Sequence, residues 1–202
     1  MGDRGAGEGT DGESAVAACL DPEVLIQPGS SGRPSGFEAC ADGFIHRTQA
    51  VQCDPSGFGV GDCINPWESP GECTSDDECV AEDGSAGVCL DSGEPSSGCS
   101  CSFGCSSDAD CEDGQSCYCD GSRSACITAS CRTDADCDEG ELCGLNQRVG
   151  GCGTVTRTLS CTTPADECRV DADCDECLQC LPGLSDPART CSASTGVCGP
   201  CG

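Results

Sequence analysis

Large hydrophobic side chains are sparse in this sequence, and they follow no sustained amphipathic period. Their densest group lies within residues 19–63. There, the segment GFIHRTQAVQC places Phe44 and His46 at positions that alternate with Ile45 and Arg47. An alternation with a period of two predicts a short strand in this segment.

A short repeat is visible in the spacing of the cysteines. Two cysteines separated by five residues recur four times, with TSDDE, SSDAD, RTDAD and RVDAD between them. In the two central copies a second gap of five residues, EDGQS or DEGEL, leads to a further cysteine. Such a repeat predicts one supersecondary unit per copy. The cysteines assigned to the resulting disulfide framework are Cys73, Cys79, Cys105, Cys111, Cys117, Cys131, Cys137, Cys143, Cys168 and Cys174.

The first gap of the repeat carries a helix-start signal. In the first three copies, Ser75, Ser107 and Thr133 are each followed three residues later by an acid, which is the pattern of a capping box. Aspartates in the first turn also suit the helix dipole. Gly114 and Gly140 then stand where a bend with positive φ is expected. We therefore predict one helical turn and a tight bend in each unit.

The overall composition is too poor in apolar residues for an ordinary core. Leu, Ile, Val and Phe number 27 among 202 residues, and the net charge is −27, a combination typical of disordered chains. The 26 cysteines change this expectation, because each disulfide can add about 2–4 kcal/mol of stability. We predict a small disulfide-rich fold, mostly irregular, with short helical turns and β-hairpins in tandem cysteine-rich modules.

Changes in cysteine spacing divide the chain into four predicted segments. Residues 1–18 form a flexible, acidic, Gly-rich spacer, and residues 19–72 form an N-terminal cysteine module with short strands. Residues 73–152 hold the tandem repeats. Residues 153–202 form a C-terminal cysteine-rich unit that opens with the Thr-rich run TVTRTLSCTTP, which is typical of a strand or a linker.

This density of thiols points to an oxidising compartment or to a metal store. Most gaps between cysteines span five or more residues, whereas metal sites favour gaps of two to four, so disulfides are favoured. We predict that the protein is secreted or displayed on the outer cell surface. The first residues, MGDRGAGEGT, contain no apolar signal region, and we expect the natural N-terminus to lie further upstream. No transmembrane segment is predicted.

Two resemblances support an exported protein. The stretch GCSCSFGCSSDADCEDGQSCYCDGSRSACITASCRTDADC (98–137), with CADGFIHR (40–47) upstream, resembles uncharacterised cysteine-rich secreted proteins of myxobacteria. That resemblance extends over residues 19–168 and implies export, often behind a lipoprotein-type leader, without a known activity. CSSDADCEDGQSC (105–117) is also similar to the N-terminal cysteine-rich domain of Dickkopf proteins, over thirteen residues, and we carry no partner over from it.

Two patterns are candidates for metal binding. Cys174-x2-Cys177 and Cys198-x2-Cys201 have the spacing of a four-cysteine zinc site, although cysteines between them offer disulfide partners instead. Acids at alternate positions suggest a calcium loop. They are Asp134, Asp136 and Asp138, echoed by Asp108, Asp110 and Glu112 and by Asp171, Asp173 and Asp175. Glycine follows one position too late for an EF-hand, and helix capping explains the same acids. No metal site is assigned, and no cofactor is predicted.

Candidate catalytic residues are few. His46 is the only histidine, and no nucleophile elbow or phosphate-binding glycine loop is present. We predict a non-enzymatic structural or interaction protein that binds an extracellular protein or polysaccharide. The acidic charge repels nucleic acid and anionic lipid. The alternatives are a metal-binding protein and a thiol-redox protein, in which Cys198 and Cys201 would be the reactive pair.

Overall fold

Strands dominate the part of the chain that the structure, a computed structural model, describes. It describes residues 18–28, 30–53, 73–81, 87–91, 99–120, 123–150, 155–176, 178–183 and 188–193. The strands within these ranges are β1 (Glu23–Ile26), β2 (Pro34–Ala39), β3 (Ile45–Arg47), β4 (Val88–Asp91), β5 (Cys99–Ser102), β6 (Gln115–Asp120), β7 (Arg123–Ala129), β8 (Cys143–Val149), β9 (Val155–Cys161), β10 (Leu178–Pro182) and β11 (Arg189–Ala193).

Seven of these strands form one sheet in the order β1-β2-β3-β8-β9-β7-β6. Neighbouring strands run antiparallel except β7 and β9, which are parallel. β4 pairs with β5, and β10 with β11, in two separate hairpins. The predicted strand after Phe44 is β3, and it lies in the middle of the large sheet. The Thr-rich run provides β9, whose hydrogen bonds to β8 cross the predicted boundary at residue 153.

Each cysteine repeat folds as a three-residue 3-10 turn followed by a hairpin. We call the units the first (73–101), second (105–126), third (131–161) and fourth (168–191) repeats. In every hairpin two cysteines are direct register partners: Cys89 with Cys101, Cys117 with Cys126, Cys143 with Cys161, and Cys180 with Cys191. These partners are not bonded to each other. Each bonds instead to one of the two cysteines that flank the 3-10 turn.

The disulfide connectivity is therefore the same in all four repeats. Each repeat contains five cysteines, and we number only the two that flank the turn and the two register partners. On that numbering the first pairs with the third and the second with the fourth, so that two neighbouring bridges fasten the turn to the hairpin. The pairs are Cys73–Cys89, Cys79–Cys101, Cys105–Cys117, Cys111–Cys126, Cys131–Cys143, Cys137–Cys161, Cys168–Cys180 and Cys174–Cys191. Two further bridges involve the N-terminal segment: Cys19 bonds to Cys40, and Cys53 bonds to Cys119 of the second repeat.

The prediction of a disulfide-rich fold is confirmed, but that of short helical turns is not. Where helix starts were expected, the described chain makes only the 3-10 turns Asp76–Glu78, Asp108–Asp110, Asp134–Asp136 and Asp171–Asp173. A gap of five residues with a bridge at each end leaves no room for a second turn, and 3-10 geometry suits such short pieces. The predicted bends at Gly114 and Gly140 are confirmed, with φ of 79° and 86°.

Cysteine is the main component of the buried interior. Thirteen of the nineteen buried hydrophobic residues are cysteines. One cluster also contains Phe37, Ala129 and Leu159, and joins the N-terminal strands to the second and third repeats. Two other clusters have only cysteine as buried members. No helix of the described residues is both long and apolar enough to cross a membrane.

Candidate functional site

The first aspartate of each 3-10 turn has one repeated role. Its Oδ1 accepts a hydrogen bond from the backbone N–H of the third cysteine of the same repeat. The four bonds join Asp76 to Cys89, Asp108 to Cys117, Asp134 to Cys143 and Asp171 to Cys180, at 2.7, 2.8, 2.7 and 2.8 Å. This bond fixes the turn over the first hairpin strand, beside the disulfide made by the same cysteine.

The last acid of each turn satisfies the backbone that enters the turn. Oδ2 of Asp136 accepts from the N–H groups of Arg132 and Thr133, both at 2.8 Å. Asp110 does the same for residues 106 and 107. In the fourth repeat Asp173 accepts from residues 169 and 170 although Val170 provides no hydroxyl. The acid, rather than the serine or threonine, is the element common to the four copies.

Hydrogen bonds lower the pKa of Asp108, Asp136 and Asp173. Backbone N–H groups of residues 133 and 132 lower the pKa of Asp136, and those of residues 170 and 169 lower the pKa of Asp173. Burial works to raise the pKa of Asp108, but hydrogen bonds from Ser116, the Cys117 N–H and Arg47 outweigh it and leave that pKa lowered. The alternating acids that suggested calcium thus have structural roles at Asp108, Asp110, Asp134, Asp136, Asp171 and Asp173.

The β3 strand connects the second and third repeats through charged side chains. Nδ1 of His46 lies 2.8 Å from Oδ2 of Asp134, and Nη1 of Arg47 lies 3.1 Å from Oδ1 of Asp108. Arg47 also donates to the hydroxyl of Ser116, which in turn donates to Asp108 at 2.8 Å. The Arg47 side chain is only 1% exposed. The first-turn acids of two repeats thus form a polar interface with consecutive residues of one strand.

A second cluster, of cations around an aromatic ring, joins the N-terminal strands to the fourth repeat. The guanidinium carbons of Arg169 and Arg189 lie 4.6 and 5.1 Å from the centroid of the Phe44 ring. Arg169 forms an ion pair with Asp42 at 3.0 Å, and the buried Arg189 forms one with Asp166 at 2.9 Å. Burial lowers the pKa of Arg189, against the attraction of Asp166, which raises it.

An open cleft of about 340 Å³ lies beside this cluster. Its walls come from the start of β3, from β8 and from the turn of the fourth repeat, and include Phe44, Asn146, Arg169 and Asp171. Both acidic and basic groups line the cleft, so it offers hydrogen-bond donors and acceptors rather than one charge. No constellation of nucleophile, general base and oxyanion donor occurs among these lining residues.

One of the four candidate zinc ligands lies within the described residues. Cys174 is bonded to Cys191. Cys177, Cys198 and Cys201 lie outside the residues that the structure describes. All ten cysteines of the proposed framework are in disulfides.

The two bridges of each repeat bring sulfur atoms close together. In each repeat, three Sγ atoms lie within 4.8 Å of one another, as in the group Cys131, Cys137 and Cys161. A similar group joins Cys19, Cys40 and one ring nitrogen of His46. Thiolates bind zinc, whereas these sulfurs are oxidised and paired. The arrangement offers metal ligands only after reduction.

Comparison of the chain with protein-family models, curated proteins and solved structures found no match. The resemblances to myxobacterial secreted proteins and to Dickkopf domains therefore stay predictions.

Sequence reasoning missed most of the interface around Phe44. The segment CADGFIHR was singled out, but the partners of its side chains were not, because Arg169 and Arg189 belong to a distant part of the chain. One signal was available: the nine basic residues of the sequence are all arginines, and the acids outnumber them four to one. Buried arginines were to be expected at the points where acidic repeats meet other elements.

Proposed function

We propose that this is a non-enzymatic structural and interaction protein of the extracellular space or cell surface, which binds an extracellular protein or polysaccharide. The observation that carries the proposal is the repeated pair of disulfides, first cysteine to third and second to fourth, in four units. A fold that relies on so many bridges persists in oxidising surroundings and is lost in a reducing cytosol.

The small apolar interior supports the same conclusion. Because buried cysteine supplies most of it, reduction removes crosslinks from the places where other proteins have packed side chains. Each bridge closes a short loop, of 12 residues in the second, third and fourth repeats for the first-to-third pair. Bridges at that spacing make each repeat resistant to local opening, and hence to proteolysis.

Charge at the bends favours a particular kind of partner. Glu112, Asp113, Asp138 and Glu139 follow the 3-10 turns of the second and third repeats and are exposed. Unlike the turn acids, they make none of the side-chain hydrogen bonds found in the described structure. These carboxylates favour an extracellular protein with a basic surface over an acidic one, because they attract the first and repel the second.

The proposal is tested by counting free thiols and bound metal. Protein purified without reductant is denatured in an alkylating agent and weighed intact. No alkyl group should be added before reduction, and 26 should be added after it. Production in an oxidising compartment should give protease-resistant protein, whereas production in a reducing cytosol should not. Free thiols accompanied by bound zinc in the native protein would refute the proposal.

A second candidate function, metal binding, is supported by the sulfur groups described above. Reduction of the two bridges that fasten one turn to its hairpin would release four thiols, three of which start within 4.8 Å of one another. Four thiolates are a complete tetrahedral ligand set for zinc. Reduction under anaerobic conditions followed by titration with Co²⁺ tests this candidate, because tetrahedral thiolate cobalt has strong visible absorption. Saturation near one ion per repeat would support it, and absence of a saturable signal would exclude it.

A further inference from the structure

One disulfide outside the repeats lies beside an arginine and a histidine. Nη2 of Arg169 is 3.4 Å from Sγ of Cys40, and one ring nitrogen of His46 lies within 4.8 Å of both sulfurs of the Cys19–Cys40 bridge. Cys40 is 5% exposed, whereas Cys19 is partly exposed. The bridge therefore joins a partly exposed residue to a buried one, and a guanidinium contacts the sulfur of the buried residue.

We propose that Cys19–Cys40 is a thiol-exchange site at which a small external thiol attacks Cys19 and Cys40 departs as a thiolate. Arg169 stabilises that thiolate directly, and His46 adds a hydrogen bond. Exchange is faster when the leaving thiol is more acidic, and a neighbouring cation makes it so. This inference is independent of the proposed structural role, which would stand if exchange at this bridge were not observed.

The chemistry balances with one thiol as co-reactant. The thiolate RS⁻ attacks Sγ of Cys19, a new S–S bond forms between them, and the Cys19–Cys40 bond breaks. The electron pair of the broken bond goes to Sγ of Cys40, which leaves as a thiolate or takes one proton from solvent. A second RS⁻ then attacks the sulfur of the external thiol in the mixed disulfide. RSSR is released, and Cys19 becomes a thiol, so two thiols have been oxidised and one disulfide reduced.

The buried histidine has unused hydrogen-bonding capacity. Nδ1 of His46 is occupied by Asp134, while Nε2 is buried and has no hydrogen-bond partner in the described structure. The Phe44 ring stacks on the imidazole at 6.3 Å and also lies against Arg169. His46 and Arg169 are thus held in place before the bridge opens.

Two carboxylates lie close to the side chains that would stabilise a thiolate at Cys40. Arg169 is 3.0 Å from the exposed carboxylate of Asp42, and His46 is 2.8 Å from Asp134. Both acids offset part of the positive charge that a thiolate at Cys40 would experience. Neutralising Asp42 should therefore accelerate reduction of the bridge, because one of the carboxylates that offset the charge of Arg169 is then removed.

The Cys111–Cys126 bridge provides a matched internal comparison. Cys126 is exposed, so access alone would make this bridge easier to reduce than Cys19–Cys40. Sγ of Cys126 lies 4.0 Å from the carbonyl oxygen of Asp110. Within the described residues, neither sulfur of this bridge has a hydrogen bond from an arginine or a histidine. A thiolate formed there is repelled rather than stabilised.

The experiment is limited reduction of the oxidised full chain by reduced glutathione. Aliquots are quenched by alkylation, and peptide mass mapping identifies the opened bridge and the cysteine that carries glutathione. We expect Cys19–Cys40 to open at least tenfold faster than Cys111–Cys126, with glutathione on Cys19. Earlier opening of Cys111–Cys126, or glutathione mainly on Cys40, would overturn the proposal.

Variants separate a direct role of Arg169 from a structural one. Arg169→Gln should slow opening of Cys19–Cys40 about tenfold, whereas a variant that merely loosened the fold would accelerate it. Arg169→Lys should restore part of the rate, and Asp42→Asn should raise it. Arg148→Gln, at an exposed position, makes the same change in net charge and should have no effect. Equal rates in Arg169→Gln, Arg148→Gln and the unaltered protein would exclude the assigned role.

Discussion

The carboxylate of Asp134 lies 2.8 Å from Nδ1 of His46. The contact joins β3 to the turn of the third repeat, 88 residues away along the chain. The other carboxylate oxygen of Asp134 accepts from the N–H of the buried Cys143. One aspartate thus fixes the turn within its own repeat and also fixes the repeat to β3, an interior strand of the large sheet.

Substitution of Asp134 should separate these two contributions. Asp134→Asn keeps an acceptor for the Cys143 N–H but loses the charged partner of His46, and it should lower the free energy of unfolding by about 1 kcal/mol. Asp134→Ala also leaves the buried N–H unpaired and should cost about 2–3 kcal/mol. Urea titration with the disulfides intact measures both values.

The matched control for Asp134 is Asp76 in the first repeat. Its Oδ1 accepts from the Cys89 N–H in the same way, and no contact with histidine accompanies it. Asp76→Asn should therefore be almost neutral. If Asp76→Asn and Asp134→Asn cost the same, the contact with His46 contributes nothing to stability.

The buried pair of Arg47 and Asp108 should behave as a coupled unit. Arg47→Met removes a cation that is 1% exposed and leaves Asp108 without its charged partner, which should cost about 3–5 kcal/mol. Adding Asp108→Asn removes the unpaired charge and should recover part of that loss. A double-mutant cycle measures this coupling, and we expect about 1–3 kcal/mol of non-additivity. Strict additivity would mean that the two charges do not interact.

The sequence was informative where cysteines and acids set local geometry. The repeated five-residue gap identified the disulfide-rich class. The acids within that gap lie in the 3-10 turns. The helix expectation failed because a bridge at both ends of the gap limits the turn to three residues. The strand content was underestimated because segments such as QSCYCD, which forms β6, carry cysteines at positions where other strands carry large apolar residues.

The tertiary contacts could not be predicted from the sequence. Arg169 and Cys40 are 129 residues apart, and no spacing rule joins them. The cysteine pairing was also open in sequence, since four cysteines already allow three connectivities. The register of the hairpins resolves it, because the third and fourth cysteines lie opposite each other and present their sulfurs to the turn.

Acid should weaken the repeats through their turn acids. The pKa values of Asp136 and Asp173 are lowered in the folded protein by backbone N–H groups, so the unfolded chain binds protons first as the pH falls. The stability that these acids contribute is complete above about pH 4, the ordinary range of an aspartate, and is lost as the pH falls through the lowered folded values. Urea titrations from pH 6 to pH 2 should show this decline.

The acid dependence has its own control pair. Asp136→Asn should reduce stability at neutral pH and flatten the decline between pH 4 and pH 2. Asp138→Asn, at an exposed acid that makes no side-chain hydrogen bond within the described structure, should leave the slope unchanged. A decline that is identical in all three proteins would place the titrating groups elsewhere.

Gly144 should be intolerant of any side chain. A Cβ built there would meet Nη2 of Arg189 and would lie 2.6 Å from Cζ of Phe44, so Gly144→Ala must displace the cluster that joins β8 to the fourth repeat. We expect a loss of about 1–3 kcal/mol from overpacking, measured by urea titration. In a Phe44→Leu background part of the clash is absent, and the added cost of Gly144→Ala should shrink.

Gly32→Ala is the control: its φ of +96° brings backbone strain, but nothing lies within 4 Å of its Cβ. The cost of Gly32→Ala should therefore be unaffected by Phe44→Leu, and an equal response of both glycines would contradict the proposed packing.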